Sequence, residues 1–115
     1  MSRATLALLF IMCGTARCVD ADETPLTVAQ EHGRKLFHST CVYCHGERVW
    51  GTFALAQRLG PNRALLEKRN DLVADYVRNV IRAGVGGMPS YRRTELSDAD
   101  ADAIVSYLTR LNPRK

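Results

Sequence analysis

Apolar side chains recur three and four positions apart in two stretches of this 115-residue chain. In the first stretch, residues 72–83, they are Leu72, Val73, Tyr76, Val77, Val80 and Ile81. In the second, residues 98–111, they are Ala101, Ile104, Val105, Leu108 and Leu111. This spacing places each set on one face of a helix. The pattern therefore predicts two amphipathic helices that bury these faces in a shared core.

Capping residues indicate where these two helices begin and end. Asp71 is placed to cap the first helix, and Gly84 is placed to end it, because glycine accepts the left-handed backbone common just after a helix. Ser97 is a favourable cap for the second helix, and Pro113 follows its end.

A third helix is predicted over residues 28–39. Thr27 and Gln30 have the spacing of a capping box, in which each side chain bonds the backbone N–H of the other residue. Gly33 lies in the middle of this helix, where glycine costs about 1 kcal/mol relative to alanine. We therefore expect another element to pack closely against Gly33.

The remaining segments are short or irregular. Residues 46–60 show no sustained period and are predicted to lack regular structure, and Pro61 is expected to open a short helix over residues 62–68. No segment has the alternation typical of a strand. The predicted fold class is all-α, with about four helices in one domain.

A five-residue string, Cys41-Val42-Tyr43-Cys44-His45, carries the strongest chemical signal. The pattern C-x-x-C-H is the attachment signature for c-type haem, in which both thiols form thioethers and the histidine binds the iron. A thioredoxin-like site would be expected beside a βαβ pattern, and a structural zinc site needs about four ligands. The sequence offers neither, so one haem c, attached through Cys41 and Cys44 and bound by His45, is the predicted cofactor.

The first 21 residues are predicted to be a cleaved signal peptide. Arg3 precedes an apolar run, residues 4–12, which is much shorter than the roughly 20 residues needed to span a bilayer. Cleavage after Ala21 is preferred to cleavage after Ala16, because it removes both cysteines that lie outside the haem motif. Residues 22–115 would then form one exported, periplasmic domain without stable membrane insertion.

The charge pattern gives no support to a nucleic-acid partner. The formal net charge is +4 at pH 7, and the basic residues are scattered along the chain. A phosphate-binding surface would need them clustered on one face. Nucleic acid is therefore not an expected partner.

Met88 is the best candidate for a second iron ligand. It is the only methionine of the predicted mature chain, and thioether sulfur is a common sixth ligand of haem iron. Gly87 and Pro89 flank it, in a loop that can approach a haem closely and has little freedom to form a helix or strand. His32 and His38 precede the haem motif and are weaker candidates, and ordinary core packing is the alternative role for Met88.

Read together, these motifs resemble those of a class I cytochrome c. The matching residues are Gly33, Phe37, the string 41–45, Pro61, Met88 and Tyr107. The resemblance implies that the first and last helices cross at a glycine, and that the Pro61 carbonyl accepts a hydrogen bond from His45. With His45 and Met88 both on the iron no position stays open, so the expected function is single-electron transfer, not catalysis.

Several side chains are candidates for holding the haem propionates or docking a partner. Trp50 is the best of them, because an indole N–H is a natural donor to a carboxylate. The others are Arg58, Arg82, Arg92 and Arg93. For each of these residues a solvated or merely packing role is the alternative.

A looser resemblance indicates a partner. Segments 69–72 and 75–78 and the loop around Met88 resemble the cytochrome subunits of flavin-dependent phenol-oxidising dehydrogenases, such as p-cresol methylhydroxylase and eugenol hydroxylase. The resemblance implies a flavoprotein dehydrogenase as electron donor and the respiratory chain as acceptor. The alternatives are a free soluble shuttle, or a haem sensor or enzyme in which Met88 leaves the iron.

Overall fold

Five α-helices make up about half of the computed structural model, which describes residues 24–113. The helices are α1 (Val28–Leu36), α2 (Val42–His45), α3 (Trp50–Leu59), α4 (Ala74–Ala83) and α5 (Asp98–Leu108). A π-helical turn, Phe37–Cys41, joins α1 to α2, and two single 3-10 turns, Pro61–Arg63 and Leu66–Lys68, lie between α3 and α4. Residues 24–113 form no strand, so the predicted all-α class is confirmed.

The predicted signal peptide and its cleavage site lie outside the described residues. Among residues 24–113, no helix has both the length and the apolar character needed to cross a membrane.

The N-terminal helix begins as predicted but continues further. Thr27 accepts a hydrogen bond from the backbone N–H of Gln30 at 3.2 Å, and the Gln30 side chain accepts one from the N–H of Thr27 at 3.0 Å. This confirms the capping box. Instead of ending near residue 39, the chain stays helical through the π-helical turn and α2, up to His45. The extra residue of that turn changes which face α2 presents relative to α1.

Helices α1 and α5 cross at Gly33, as the resemblance implied. A Cβ atom at this position would lie 1.9 Å from the carbonyl oxygen of Ala103, so the two backbones are in direct contact. Nε2 of His32 is also 2.8 Å from an Asp100 carboxylate oxygen, one helical turn along α5. Close approach of the two backbones is therefore what requires a glycine in the middle of α1.

Helix α3 is the largest error of the sequence-based prediction, which treated residues 46–60 as irregular. Gly51 packs on the backbone of α2, where an added Cβ would lie 2.3 Å from the Cys44 carbonyl oxygen. Trp50 and Phe53 are large, apolar and more than 60% exposed. These exposed aromatic side chains hid the helical period that the more buried positions alone would show.

Helix α4 begins at Ala74, later than predicted, and Asp71 does not cap it. The Asp71 carboxylate instead binds Arg63 and Arg69, with the Arg69 Nε atom at 2.7 Å. Because each oxygen of the carboxylate is bound to a different arginine, the Asp71 side chain does not turn towards the backbone N–H groups of α4. Gly84 ends the helix as predicted, with a φ of 72°.

Helix α5 confirms the Ser97 cap, since the side chain accepts a hydrogen bond from the N–H of Asp100 at 3.1 Å. Ala101, Ile104, Val105 and Leu108 are buried as predicted. Leu111 is 45% exposed, because the helix ends at Leu108 and the chain turns away from the core.

Tyr107 connects α5 to the segment before α4. Its ring is buried against Phe37, and its hydroxyl donates a hydrogen bond to the carboxylate of Glu67. Nε2 of His38 lies 2.8 Å from the same carboxylate, and the Arg110 guanidinium stacks 4.2 Å above the Tyr107 ring. This network attaches the 3-10 turn Leu66–Lys68 to α5 and to the π-helical turn that follows α1.

Replacing Tyr107 with phenylalanine should lower the free energy of unfolding by about 1 kcal/mol, because Glu67 loses a donor. Burial and the bond to Glu67 raise the pKa of Tyr107 to about 12, above its ordinary value of 10.0. The neutral phenol therefore stabilises the fold fully below pH 10, and this contribution is lost as the pH rises from 10 to about 12. Guanidinium unfolding near neutral pH and at about pH 11 measures how much of the free energy of unfolding is lost at alkaline pH. This loss should be smaller in the variant than in the unmutated protein.

Tyr43→Phe is the matched control for this change, because the Tyr43 side chain is 75% exposed. Equal alkaline losses in the two variants would contradict the role given to the Tyr107 hydroxyl.

Candidate functional site

One cavity of about 420 Å³ lies between α2, α3, α4 and the loop that follows α4. Cys41, Cys44, His45 and Met88 all line it, although Met88 is far from the other three in the chain. Its walls are mostly apolar and include Leu59, Leu66, Leu72, Tyr76, Val80 and Ile81.

The two cysteines sit at the junction of the π-helical turn and α2, three positions apart. Both are free thiols; Cys41 is half-buried and Cys44 is exposed. Burial, followed by the nearby Cys44, raises the pKa of the Cys41 thiol to about 11. The Cys41 thiol is therefore not set up as a reactive thiolate, which disfavours a redox C-x-x-C site of the thioredoxin kind.

His45 ends α2 with its ring in the cavity wall. Burial lowers the pKa of His45, which favours the neutral imidazole that binds metals. Its Nδ1 atom is buried and has no hydrogen-bond partner among the described residues. A buried polar atom without a partner is rare, and it is the feature of this cavity that most needs a ligand to fix the ring.

The hydrogen bond expected between His45 and the Pro61 carbonyl is not formed. Pro61 opens a 3-10 turn, and its carbonyl accepts the backbone N–H of Ala64 at 3.3 Å. Pro61 does not line the cavity either. The backbone of this turn uses the Pro61 carbonyl locally, which the sequence resemblance did not anticipate.

The Met88 loop is held by its own backbone. The N–H of Met88 donates to the Val85 carbonyl at 2.9 Å, and the N–H of Val85 donates to the Met88 carbonyl at 3.2 Å. Gly84 packs against the returning chain, where an added Cβ would lie 2.6 Å from the Met88 carbonyl oxygen. The loop therefore presents Met88 to the cavity from a short, closed turn.

Trp50 lines the cavity and covers the Met88 loop. A Cβ atom at Gly87 would lie 2.9 Å from the indole ring, so ring and loop are in direct contact. The Trp50 side chain is nevertheless 69% exposed. The contact with Gly87 was not anticipated, because the two residues are far apart in the chain and no sequence motif links them.

The arginine candidates separate into two groups. Arg58 lines the cavity, and so does Arg69, which sequence reasoning missed and which Asp71 holds in place. Arg82, Arg92 and Arg93 do not line it. Arg82 and Arg93 both bind the Asp98 carboxylate at 2.8 Å, so they are not available to a propionate. The signal that could have identified Arg69 is its spacing of two residues from Asp71.

The donor set in this cavity fits a haem c. Two thiols with c-type spacing, a neutral imidazole with an unpartnered nitrogen, a thioether and apolar walls are the groups that such a haem requires. They converge from three separate parts of the chain, which ordinary core packing does not require.

A comparison with protein families matches residues 28–108 to the family described as "Cytochrome C oxidase, cbb3-type, subunit III". The matched segment runs from the first residue of α1 to the last residue of α5. Comparisons with curated proteins and with solved structures gave no match.

Proposed function

Because the chain belongs to this family of c-type cytochromes, we propose that Cys41 and Cys44 attach its haem and that His45 and Met88 are the two axial ligands. Membership in the family means a covalently bound haem c and a role in electron transfer. The observation that supports the residue assignment is the single cavity lined by all four side chains.

In this proposal the protein residues do three things. Cys41 and Cys44 fix the macrocycle by adding their S–H groups across its vinyl bonds. With His45 and Met88 both bound to the iron, no position would be open to substrate or oxygen. The bound haem supplies a one-electron ferric/ferrous couple.

The Met88 sulfur and the apolar walls act on the couple in the same direction. A thioether is a soft ligand that favours the ferrous state and raises the potential. Leu72 and Ile81 are more than 90% buried in the wall, and such an environment disfavours the extra positive charge of the ferric state. We therefore assign the protein to one-electron transfer at high potential.

Trp50 and Arg58 are the proposed partners of the haem propionates. Both line the cavity, and both are exposed at its outer edge, where carboxylates would be expected to meet solvent. An indole N–H and a guanidinium group are complementary donors to a carboxylate.

For the electron donor we propose a flavin-dependent dehydrogenase outside the cytoplasm, with the respiratory chain as acceptor. The support is the resemblance of segments 69–72 and 75–78 to the cytochrome subunits of phenol-oxidising flavoenzymes. The family description names an oxidase subunit, so an oxidase-type complex is the competing partner. Export through a leader cleaved after Ala21, to the periplasm, belongs to the same proposal.

The proposal is tested on the full chain co-expressed with the machinery for c-type haem attachment. We expect the intact mass to correspond to a chain that starts at Asp22 and carries one haem. In a Cys41→Ser/Cys44→Ser double variant, any bound haem should be removed by extraction with organic solvent. The ferric spectrum should contain a weak methionine–iron charge-transfer band. Absence of haem would refute the site, and a high-spin ferrous protein that binds carbon monoxide readily would indicate a sensor instead.

The partner is tested with the same purified protein. Under anaerobic conditions, a flavoprotein dehydrogenase and its phenolic substrate should reduce the ferric protein. If the dehydrogenase does not reduce the ferric protein but the electron donors of an oxidase complex do, the dehydrogenase proposal is overturned and the haem assignment stays intact.

A further inference from the structure

Arg82 makes three hydrogen bonds to the part of the chain that follows the Met88 loop. It lies in the last turn of α4 with its side chain only 18% exposed. Nη1 donates to the backbone carbonyls of Tyr91 at 3.1 Å and Leu96 at 2.8 Å, and Nη2 donates to the carboxylate of Asp98 at 2.8 Å. One side chain thus fixes both ends of the segment 91–96 and the first residue of α5.

These bonds complete the attachment of the Met88 loop to α4. The loop leaves α4 at Gly84, where the returning backbone packs against it. It comes back at Tyr91, whose N–H donates to the Ile81 carbonyl at 2.9 Å and whose side chain lines the cavity. Arg82 then holds the Tyr91 carbonyl, on the other side of the same residue. The position of Met88 therefore depends on where Arg82 holds the chain.

We propose that Arg82 is a positioning residue that keeps Met88 on the haem iron. The proposal rests on the assignment of Met88 as the axial ligand. Arg82 does not line the cavity, so it acts through the backbone of the loop and not through contact with the haem. A displaced loop would lengthen or break the iron–sulfur bond while leaving the covalent attachment through Cys41 and Cys44 unaffected.

The chemistry of the contact requires an arginine. Bonds from a charged donor to carbonyls and carboxylates are stronger than neutral ones. A guanidinium group has five donors in a fixed plane and reaches three acceptors at once, whereas the compact ammonium of lysine cannot match that arrangement. A cation in the last turn of a helix is also favoured by the helix dipole. Arg82→Lys should therefore restore only part of the function.

Arg78 provides a matched control one turn earlier on α4. Its Nε donates to Asp102 on α5 at 2.7 Å, and its Nη1 donates to Asp75 at 2.9 Å. Arg78 thus joins α4 to α5 through an ion pair, as Arg82 does through Asp98, but none of its bonds reaches the Met88 loop. Its replacement removes a comparable ion pair between the two helices without releasing the loop.

The test compares Arg82→Gln with Arg78→Gln as holoproteins. Imidazole binds ferric iron only when Met88 has left it, so its apparent affinity measures how often the loop opens. We expect that affinity to rise about tenfold or more in Arg82→Gln, since two partly buried carbonyls lose their charged donor, and to change less than about twofold in Arg78→Gln. On heating, the methionine–iron band should also disappear at a lower temperature in Arg82→Gln than in the unmutated protein, and Arg78→Gln should not show this change.

Each outcome decides the matter. Equal imidazole affinities and equal band stability in the two variants would overturn the role of Arg82, because a general loss of helix packing would then explain both. If the unmutated protein has no methionine–iron band, the assignment of Met88 fails first. A normal band with no difference between variants refutes the positioning role alone.

Discussion

Met88→Ala should remove the methionine–iron charge-transfer band and open the iron to external ligands. Among the described residues that line the cavity, Met88 carries the only sulfur apart from the two cysteines. The ferrous variant should bind carbon monoxide readily. Its potential should fall by on the order of 0.1 V or more, within the roughly 0.8 V range over which axial ligands set haem potentials.

Val85→Ala is the control for the loop itself. Val85 lines the same cavity and is the backbone partner of Met88, but its side chain cannot bind iron. It should keep the band and the potential while losing some apolar contact. Spectra of both ferric variants, and potentials from redox titration, check the prediction. A retained band in Met88→Ala would refute the ligand assignment.

The parts of this site that could be predicted from sequence are those encoded by neighbouring residues. The string 41–45 is contiguous, and the Thr27 and Ser97 caps act over three residues, so each could be read without knowing the fold. Met88 could be identified because few alternatives exist in the chain and because its flanking residues have distinctive backbone preferences. Its arrival in the same cavity as His45 is a tertiary result.

The features that escaped prediction depend on competition between distant groups. Asp71 has the sequence position of a cap, but two arginines bind its carboxylate instead. Arg82 reaches acceptors up to 16 residues away, and no local pattern indicates which basic residue will do so. Helix α3 was missed because its exposed aromatic side chains obscured the period. In each case the outcome was determined by contacts between distant parts of the chain and not by the local sequence.

Gly33→Ala should destabilise the protein by about 3 kcal/mol or more, although alanine is the better helix former. Helix propensity alone predicts a gain of about 1 kcal/mol. The new methyl carbon would lie 1.9 Å from the Ala103 carbonyl oxygen and 2.9 Å from the backbone nitrogen of Ile104. Backbone atoms of a helix cannot rotate aside, so α1 and α5 must separate and expose the core around Phe37.

The same chemical change at Gly86 separates this effect from the general cost of replacing a glycine. A Cβ atom at Gly86 meets nothing within 4 Å, but the φ of 56° is unfavourable for alanine, with a cost of about 1 kcal/mol. Guanidinium unfolding of both holoproteins, followed by far-ultraviolet circular dichroism, measures the two costs side by side. Because a domain of this size is stabilised by only about 5–15 kcal/mol, Gly33→Ala should shift the midpoint far more than Gly86→Ala. A Gly33→Ala protein as stable as the parent would mean that the two helices do not cross in contact at this residue.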